Sequence, residues 1–335
     1  MSLMLPLWLS LTVYVLLTFQ TRSAECRRLT EPERVAYWHE RNNTWPPNWQ
    51  PETEQYREFI AEREKELQMI PGADERWENY MQFTAARMVP RFTETGFMLI
   101  QTPPDVQAKL KKAVDDALAN WDNVRNESVI DVLYTPIQSK FVDVPKLKTE
   151  VTNTLLPLHE EWSGLKLKPT SIYGIRMNRA GASLVMHYDK IMTHVISSII
   201  HIDHKYFNND EPWSIEIEDH TGQLHAVNLE PGQMLFYESA ACLHGRRQIL
   251  KGEWYASIFN HYQPVDPNIW SFTIDDVINN VPPHWKDGII EDHGNRHAGQ
   301  GLTIDSRVCD AAPPRVIKGQ VVENIAEYYA ANRDL

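Results

Sequence analysis

Short β-forming runs, each ended by turn residues, fill the chain from about residue 170 to residue 262. Runs of this length, rich in Val, Ile, Tyr and Phe and separated by Gly, Pro and Asn, are typical of antiparallel strands. Several such strands bury their apolar faces by packing into a sandwich or a jelly roll. The predicted strands are 171–177, 184–188, 195–202, 214–218, 225–229, 234–237, 242–249 and 254–262.

The region before these strands has helical spacing of its apolar residues. Apolar positions three or four residues apart predict helices over 51–70, 74–88, from Thr102 onward and over 146–162, with a short strand at 96–100. We therefore expect an α+β protein with a jelly-roll core and an N-terminal helical layer. The expected division is a signal peptide at 1–24, an extended Trp-rich arm with helices at 25–95, one domain at 96–265 with its β core at about 170–262, and an extension at 266–335.

The composition indicates an ordered protein with an acidic balance of charge. Hydrophobic residues make up 42% of the 335 residues and charged residues 23%, which is ordinary for a globular chain. Lys and Arg total 33 against 45 Asp and Glu, for a formal charge of −12. Nucleic-acid binding requires a basic surface, so nucleic acid is not an expected partner.

A nearly unbroken apolar run covers residues 3–19 and is followed by small and polar residues. This pattern predicts a cleaved secretory signal, with a retained membrane anchor as the alternative. Glycosylation triplets at Asn42 and Asn126 agree with the secretory pathway, as does the option of a disulfide between Cys26 and Cys309. We expect a protein of the endoplasmic reticulum lumen or a secreted protein, without membrane attachment after cleavage. The sequence leaves its oligomeric state open.

His187 and Asp189 stand two residues apart in a predicted strand, so their side chains point to the same face. His244 follows 57 residues later in another predicted strand. Two imidazoles and one carboxylate occupy one face of an octahedral Fe(II) and leave the other face for a co-substrate and O₂. A site closed by four ligands would instead be structural. These three residues are therefore predicted to bind one non-haem iron.

Other residues could compete for the iron site. His201 and Asp203 repeat the spacing, but we expect Asp203 to lie in a turn after the strand. Cys242 is expected on the same strand face as His244, as a neighbour of the cavity rather than a ligand. Hydrogen-bonded scaffold roles are expected for His194, His204, His220 and His225.

The segment 173–262 resembles the prolyl 4-hydroxylase-like branch of the iron- and 2-oxoglutarate-dependent dioxygenases. The matching pieces are His187-Tyr188-Asp189, the strand 193–203, Leu229-Glu230-Pro231-Gly232, Phe236-Tyr237-Glu238 and Leu243-His244-Gly245. The resemblance implies a double-stranded β-helix that uses Fe(II), 2-oxoglutarate, O₂ and ascorbate (vitamin C). It also implies decarboxylation of 2-oxoglutarate to succinate, coupled to hydroxylation of a C–H bond, with no catalytic residue beyond the metal site.

One position departs from that family. Its members place a lysine ten residues after the second histidine to pair with the far carboxylate of 2-oxoglutarate, and here that residue is Trp254. A buried carboxylate needs a cationic partner. Arg246 is the first candidate, because it lies two residues past His244 on the same strand. Lys251 is the second candidate, and Asn178 and Tyr173 are possible further contacts of the co-substrate.

These features lead to an oxidoreductase with two classes of alternative. The leading expectation is hydroxylation of a peptidyl residue such as proline, and a free amino acid or small molecule is the alternative substrate. The second class is a catalytically silent jelly-roll binding protein, which the missing lysine favours and the intact metal triad opposes. A metal oxidase that does not use 2-oxoglutarate lies between the two classes.

Overall fold

The computed structural model describes residues 73–128, 132–207, 212–267 and 273–281, with parts of 61–68, 270–271, 315–317 and 321–327. The expected signal peptide, the Trp-rich arm and the pair Cys26 and Cys309 lie outside the described residues, so they stay predictions. Within the described ranges, no helix is both long and apolar enough to cross a membrane.

The described helices and strands follow one another in an order that places most helices first. The helices are α1 (Ala73–Met88), α2 (Pro104–Ala119), α3 (Pro145–Ser163) and α4 (Ile274–Asn280). The strands are β1 (Phe97–Gln101), β2 (Leu133–Tyr134), β3 (Lys140–Val142), β4 (Leu167–Ile172), β5 (Ile175–Arg179), β6 (Ser183–His187), β7 (Ile196–Tyr206), β8 (Ile215–Glu218), β9 (Leu224–Val227), β10 (Gln233–Tyr237), β11 (His244–Arg246), β12 (Gly252–Pro264) and β13 (Arg315–Ile317).

The eight strands β5 to β12 form a double-stranded β-helix, as expected. The larger sheet has the order β1-β10-β7-β12-β5-β3, with β4 also paired to β12, and the smaller has the order β13-β9-β8-β11-β6-β2. Strands of the core therefore pass back and forth between two antiparallel sheets, which is the connectivity of a jelly roll. The described parallel pair is β13 with β9, outside the eight-stranded core.

Alternation along the strands of the larger sheet separates two apolar regions. On β10, Met234 and Phe236 face the helices, where Phe236 packs on Trp162 of α3, while Leu235 and Tyr237 face the smaller sheet. Successive side chains of a strand point to opposite faces, so one strand serves both regions. The helices thus cover the outer face of the larger sheet, and the space between the sheets is left for a site.

Most predicted elements are confirmed, but three strand predictions were wrong in part. The run 171–177 is divided between β4 and β5, and the run 242–249 contributes only His244–Arg246. Strand β7 continues to Tyr206, so Asp203 lies in the strand and not in a turn. The helices at 74–88, after Thr102 and over 146–162 are confirmed. An N-terminal helical layer stays a prediction.

Candidate metal centre

His187, Asp189 and His244 come together between the two sheets. His187 ends β6 and His244 begins β11, and the two are direct partners in the antiparallel pair of these strands. The Nε2 atoms of His187 and His244 lie 3.6 and 3.9 Å from Oδ1 of Asp189. One ligand atom from each side chain lies within 4.8 Å of the others. This is a spacing at which one ion can be held, and the described residues contain no second group of this kind.

Backbone carbonyls fix the orientation of both imidazoles. Nδ1 of His187 lies 2.8 Å from the carbonyl oxygen of Val185, and Nδ1 of His244 lies 2.9 Å from that of Cys242. A carbonyl oxygen can only accept, so Nδ1 carries the proton in each ring and Nε2 keeps its lone pair. Metal-binding histidines are commonly held in this way by a hydrogen bond from the other nitrogen.

One carboxylate oxygen of Asp189 has no hydrogen-bond partner among the described residues. Its Oδ2 atom is buried and accepts no hydrogen bond from any described residue. Burial alone would raise the pKa of Asp189, but the neighbouring imidazoles of His187, His244 and His261 lower it below its usual range. A buried carboxylate with an unused oxygen is costly unless a cation binds there.

His244 is neutral at physiological pH. Burial lowers its pKa to about 4, with a further lowering from His187 and an opposing effect of Asp189. The site therefore offers lone pairs from two fixed imidazoles and one negative charge from Asp189. This donor set fits a divalent transition metal with open coordination positions.

A cavity of about 170 Å³ opens beside the three ligand residues. Its wall combines apolar side chains with titratable side chains other than His187, Asp189 and His244. The other lining residues are Val132, Tyr173, Arg176, Leu184, His194, Ile199, Tyr237, Phe259 and His261. A largely apolar pocket with a few polar groups beside the metal is the usual form of a small-molecule or side-chain site.

Arg246 lies deep in the protein, two residues past His244. It is only 5% exposed, and its guanidinium donates to the carbonyl oxygen of Trp213 and, at 3.3 Å, to the hydroxyl of Tyr255. The same guanidinium packs over the rings of both residues, at 4.5 and 4.8 Å. No described carboxylate forms an ion pair with it, so its charge has no protein counter-ion in the described part of the chain.

The other three predicted contacts of the co-substrate lie in different surroundings. Lys251 is exposed in the connection before β12, and neither Lys251 nor the buried Arg246 is among the residues that line the cavity. Tyr173 lines the cavity. Asn178 is buried and accepts a 3.4 Å hydrogen bond from Ser139 without reaching the cavity wall.

Trp254, ten residues after His244, does not line the cavity. This residue packs with Leu118 and Trp121 on the helix side of the larger sheet, away from His187, Asp189 and His244. The next residue, Tyr255, faces the other side of β12 and reaches Arg246. Because the two residues are neighbours in one strand, they must point to opposite faces. Trp254 therefore does not stand where a co-substrate anchor would be needed.

Cys242 and His201 both lie outside the cavity wall. Cys242 precedes β11 rather than lying in it, so alternation does not apply, and its Sγ points to the carbonyl oxygen of Gly96 and to His220 instead of the cavity. His201 is buried and hydrogen-bonds the carbonyl oxygen of Ala256 and Nδ1 of His204, as a scaffold residue would.

Three residues near the site were missed by the sequence reading. His261 lines the cavity with Nδ1 at 3.8 Å from Oδ2 of Asp189, Tyr255 contacts Arg246, and Glu127 pairs with Arg176. Alternation along the predicted strand 254–262 could have placed Tyr255 and His261 on one face. The pairing of Glu127 had no signal, because it lies in a stretch outside the main strands.

The chain is similar to known proteins in structure. No protein-family model matches the chain, and no curated protein matches it. Among solved structures, a prolyl-4-hydroxylase of Pseudomonas putida is 12% identical with a TM-score of 0.39, over 51% of this chain and 94% of that one.

Two further similar structures belong to the same kind of oxygenase. A prolyl hydroxylase of Trichoplax adhaerens, solved with a hypoxia-inducible-factor peptide, is 11% identical with a TM-score of 0.40, over 57% of this chain and 90% of that one. HygX of Streptomyces hygroscopicus, solved with nickel and 2-oxoglutarate, is 12% identical with a TM-score of 0.38, over 51% and 84%. Because identity and TM-score are both low, nothing that those proteins bind is transferred to this chain.

Proposed function

We propose that the protein is an Fe(II)- and 2-oxoglutarate-dependent dioxygenase that hydroxylates a C–H bond. The observation that carries this proposal is the fixed pair of imidazoles beside a buried carboxylate with an unused oxygen, at His187, His244 and Asp189. In the overall reaction, 2-oxoglutarate and O₂ give succinate and CO₂, and the second oxygen atom enters the substrate as a hydroxyl group. Bound Fe(II) would supply the activation of O₂.

Arg246 would hold the far carboxylate of 2-oxoglutarate. Two buried arginines lie near the metal ligands, but Nε of Arg176 lies 2.8 Å from both carboxylate oxygens of Glu127, so that charge is already neutralised. Among the described residues, the hydrogen-bond partners of Arg246 are both neutral. A buried guanidinium without a counter-ion costs several kcal/mol, and a carboxylate that binds it in a fork removes that cost.

Tyr237 would contact a 2-oxoglutarate molecule that extends from the metal toward Arg246. Its ring lines the cavity and lies 4.8 Å from the ring of His244. Burial raises the pKa of Tyr237 well above its usual range, Asp189 raises it further and Arg246 lowers it. Both charges therefore act on this phenol, which stays protonated and can donate a hydrogen bond to a bound dicarboxylate.

A peptidyl residue such as proline is the first substrate to test. The support is the resemblance of segment 173–262 to the prolyl 4-hydroxylase-like branch. A free amino acid or a small molecule is the alternative, because a cavity of about 170 Å³ can hold a side chain or a compound of similar size. The absence of a lysine at position 254 no longer favours a silent binding protein, since Arg246 offers a charge for the co-substrate.

The proposed compartment is the secretory pathway, and ascorbate is the proposed reductant that keeps the iron ferrous. The support is the apolar run at 3–19 and the glycosylation triplets. Expression of the full chain in eukaryotic cells, followed by glycosidase digestion, tests the compartment. A mobility shift on digestion supports it, and an unglycosylated chain in the cytosol would contradict it.

Succinate formation tests the activity. Purified protein with Fe(II), ascorbate, O₂ and 2-oxoglutarate should form succinate, and a panel of proline-containing peptides and free amino acids should raise the rate. A protein that binds iron but forms no succinate would be a metal oxidase of another kind. A protein that binds neither iron nor 2-oxoglutarate would be the silent binding protein.

A further inference from the structure

Two histidines that are not metal ligands, His194 and His261, line the cavity. Their rings are in contact, with centroids 3.8 Å apart and planes tilted by 43°. His261 lies on β12 and is only 7% exposed, while Asp189 Oδ2 lies 3.8 Å from its Nδ1, beyond hydrogen-bond distance. The proposed function gives neither imidazole a role.

A chain of hydrogen bonds determines which nitrogen of His261 carries the proton. Ser239 Oγ lies 2.7 Å from the carbonyl oxygen of His194, which can only accept, so the single proton of Ser239 points there. Ser197 Oγ lies 2.6 Å from Ser239 Oγ and must therefore donate to it. The proton of Ser197 is then used, so its 2.8 Å contact with Nδ1 of His261 requires a proton on Nδ1.

Nε2 of His261 is consequently a hydrogen-bond acceptor. No described carboxylate lies within hydrogen-bond distance of the ring to hold a second proton on it, since Oδ2 of Asp189 is 3.8 Å from Nδ1. No described residue donates to Nε2, and the atom is not sealed from solvent as Nε2 of His159 is. An accessible acceptor on a residue of the cavity wall, close to the metal ligands, is available to a bound molecule.

We infer that Nε2 of His261 accepts a hydrogen bond from an N–H or O–H group of the substrate and so selects substrates that carry a donor beside the carbon to be hydroxylated. This inference rests on the proposed function and names the substrate class within it. The tilted ring of His194 packs against the imidazole, and the two serines fix its tautomer. A site built to pair a polar group rejects analogues that lack it, because the protein group is then left without a partner.

Nuclear magnetic resonance of ¹⁵N-histidine-labelled protein tests the tautomer without turnover. The protein is loaded with Zn(II), a diamagnetic substitute for iron, and with 2-oxoglutarate. The result expected is a protonated Nδ1 and an unprotonated Nε2 in His261. Ser197→Ala should mix the two tautomers. A proton on Nε2 in the unchanged protein would overturn the inference.

The probe for the donor is the peptide acetyl-Ala-Pro-Ala-amide, compared with its analogue in which every backbone N–H is methylated. The first should shift the Nε2 resonance of His261 and the second should not. Equal shifts, or no shift from either peptide, would overturn the inference. His261→Phe should raise the ratio of succinate to hydroxylated product at least fivefold for the substrate found, whereas His225→Gln, outside the cavity, should not. Loss of succinate with an intact tautomer would instead count against the proposed function.

Discussion

At the scale of single residues, the three candidate metal ligands differ from ordinary buried polar groups in how they are held. His187 and His244 each use Nδ1 on a backbone carbonyl, so both present Nε2 to the same point. Oδ2 of Asp189 accepts no hydrogen bond from the residues that the structure describes. A structural histidine–carboxylate pair would satisfy itself, as His225 and Asp219 do at 2.7 Å.

Removal of the Asp189 carboxylate should abolish metal binding. Asp189→Ala leaves two neutral ligands and no negative charge, so we expect Fe(II) affinity to fall by at least about 100-fold, or about 3 kcal/mol. Metal analysis after gel filtration measures this. Asp219→Ala is the matched control, because it also removes a carboxylate beside a histidine and should leave the iron content unchanged. Equal iron in both variants would contradict the assignment.

Removal of the Arg246 charge should affect 2-oxoglutarate more than iron. Charge-assisted hydrogen bonds contribute about 1.5–3 kcal/mol, so Arg246→Met should raise the KM for 2-oxoglutarate roughly 10- to 100-fold. Iron content should remain, and thermal unfolding checks that the variant is folded. Lys251→Met, which alters an exposed lysine, should not change the KM. A larger effect at Lys251 than at Arg246 would reverse this assignment.

The sequence was most informative at this scale for the metal site. His187 and Asp189 were predicted to share one face, and the structure brings both together with His244, although Asp189 lies two residues past the end of β6. Position 254 misled, because counting from His244 ignores where β12 begins and which face each residue takes. His261 was missed because its partner Ser197 lies 64 residues earlier in the chain, on the neighbouring strand β7, and the sequence did not indicate this pairing.

At the scale of elements, the candidate site depends most on strand β11. It has only three residues, and it carries both His244 and Arg246 between β6 and β8. Gly245 permits this close packing, since a Cβ atom there would lie 2.7 Å from the carbonyl oxygen of Val185. The strand predicted at 242–249 was too long, because Cys242 and Leu243 precede the paired residues and 247–249 follow them.

Gly245→Ala should therefore displace β11 from β6 and weaken metal binding. The clash is with backbone, which cannot rotate away, so we expect a loss of roughly 1–3 kcal/mol in the free energy of unfolding. The Fe(II) affinity should fall with it. Gly222→Ala, in a turn with φ of 83° between β8 and β9, should also reduce stability but should leave the metal affinity unchanged. Metal titration and urea unfolding of both variants make the comparison.

At the scale of the whole molecule, helix α3 and the larger sheet share a buried imidazole. His159 stacks on Phe236 with ring centroids 3.9 Å apart, and its Nε2 is sealed without a partner. Burial lowers its pKa to about 3, against a slight raising effect of its hydrogen bond with Leu155. The jelly roll itself was predictable from strand spacing, but this contact between distant elements was not.

The burial of His159 should make the free energy of unfolding depend on pH. Its pKa is lower in the folded state, so below about pH 6.5 the unfolded chain takes up a proton that the folded protein does not, and stability falls as pH falls. Between pH 6.5 and pH 5 this residue should account for about 2 kcal/mol of that loss. Urea unfolding of metal-free protein should show a shallower pH dependence in His159→Leu. Identical pH dependence in both proteins would contradict the burial of a neutral imidazole.

The central claim is that one Fe(II), held by His187, Asp189 and His244, shares the cavity with 2-oxoglutarate. Anaerobic titration of metal-free protein with Fe(II), with and without 2-oxoglutarate, tests it most directly. We expect one Fe(II) per chain and a visible charge-transfer absorption that appears only when 2-oxoglutarate is added, and that is absent in Asp189→Ala. Iron that binds without any response to 2-oxoglutarate, or that binds equally well to Asp189→Ala, would contradict it.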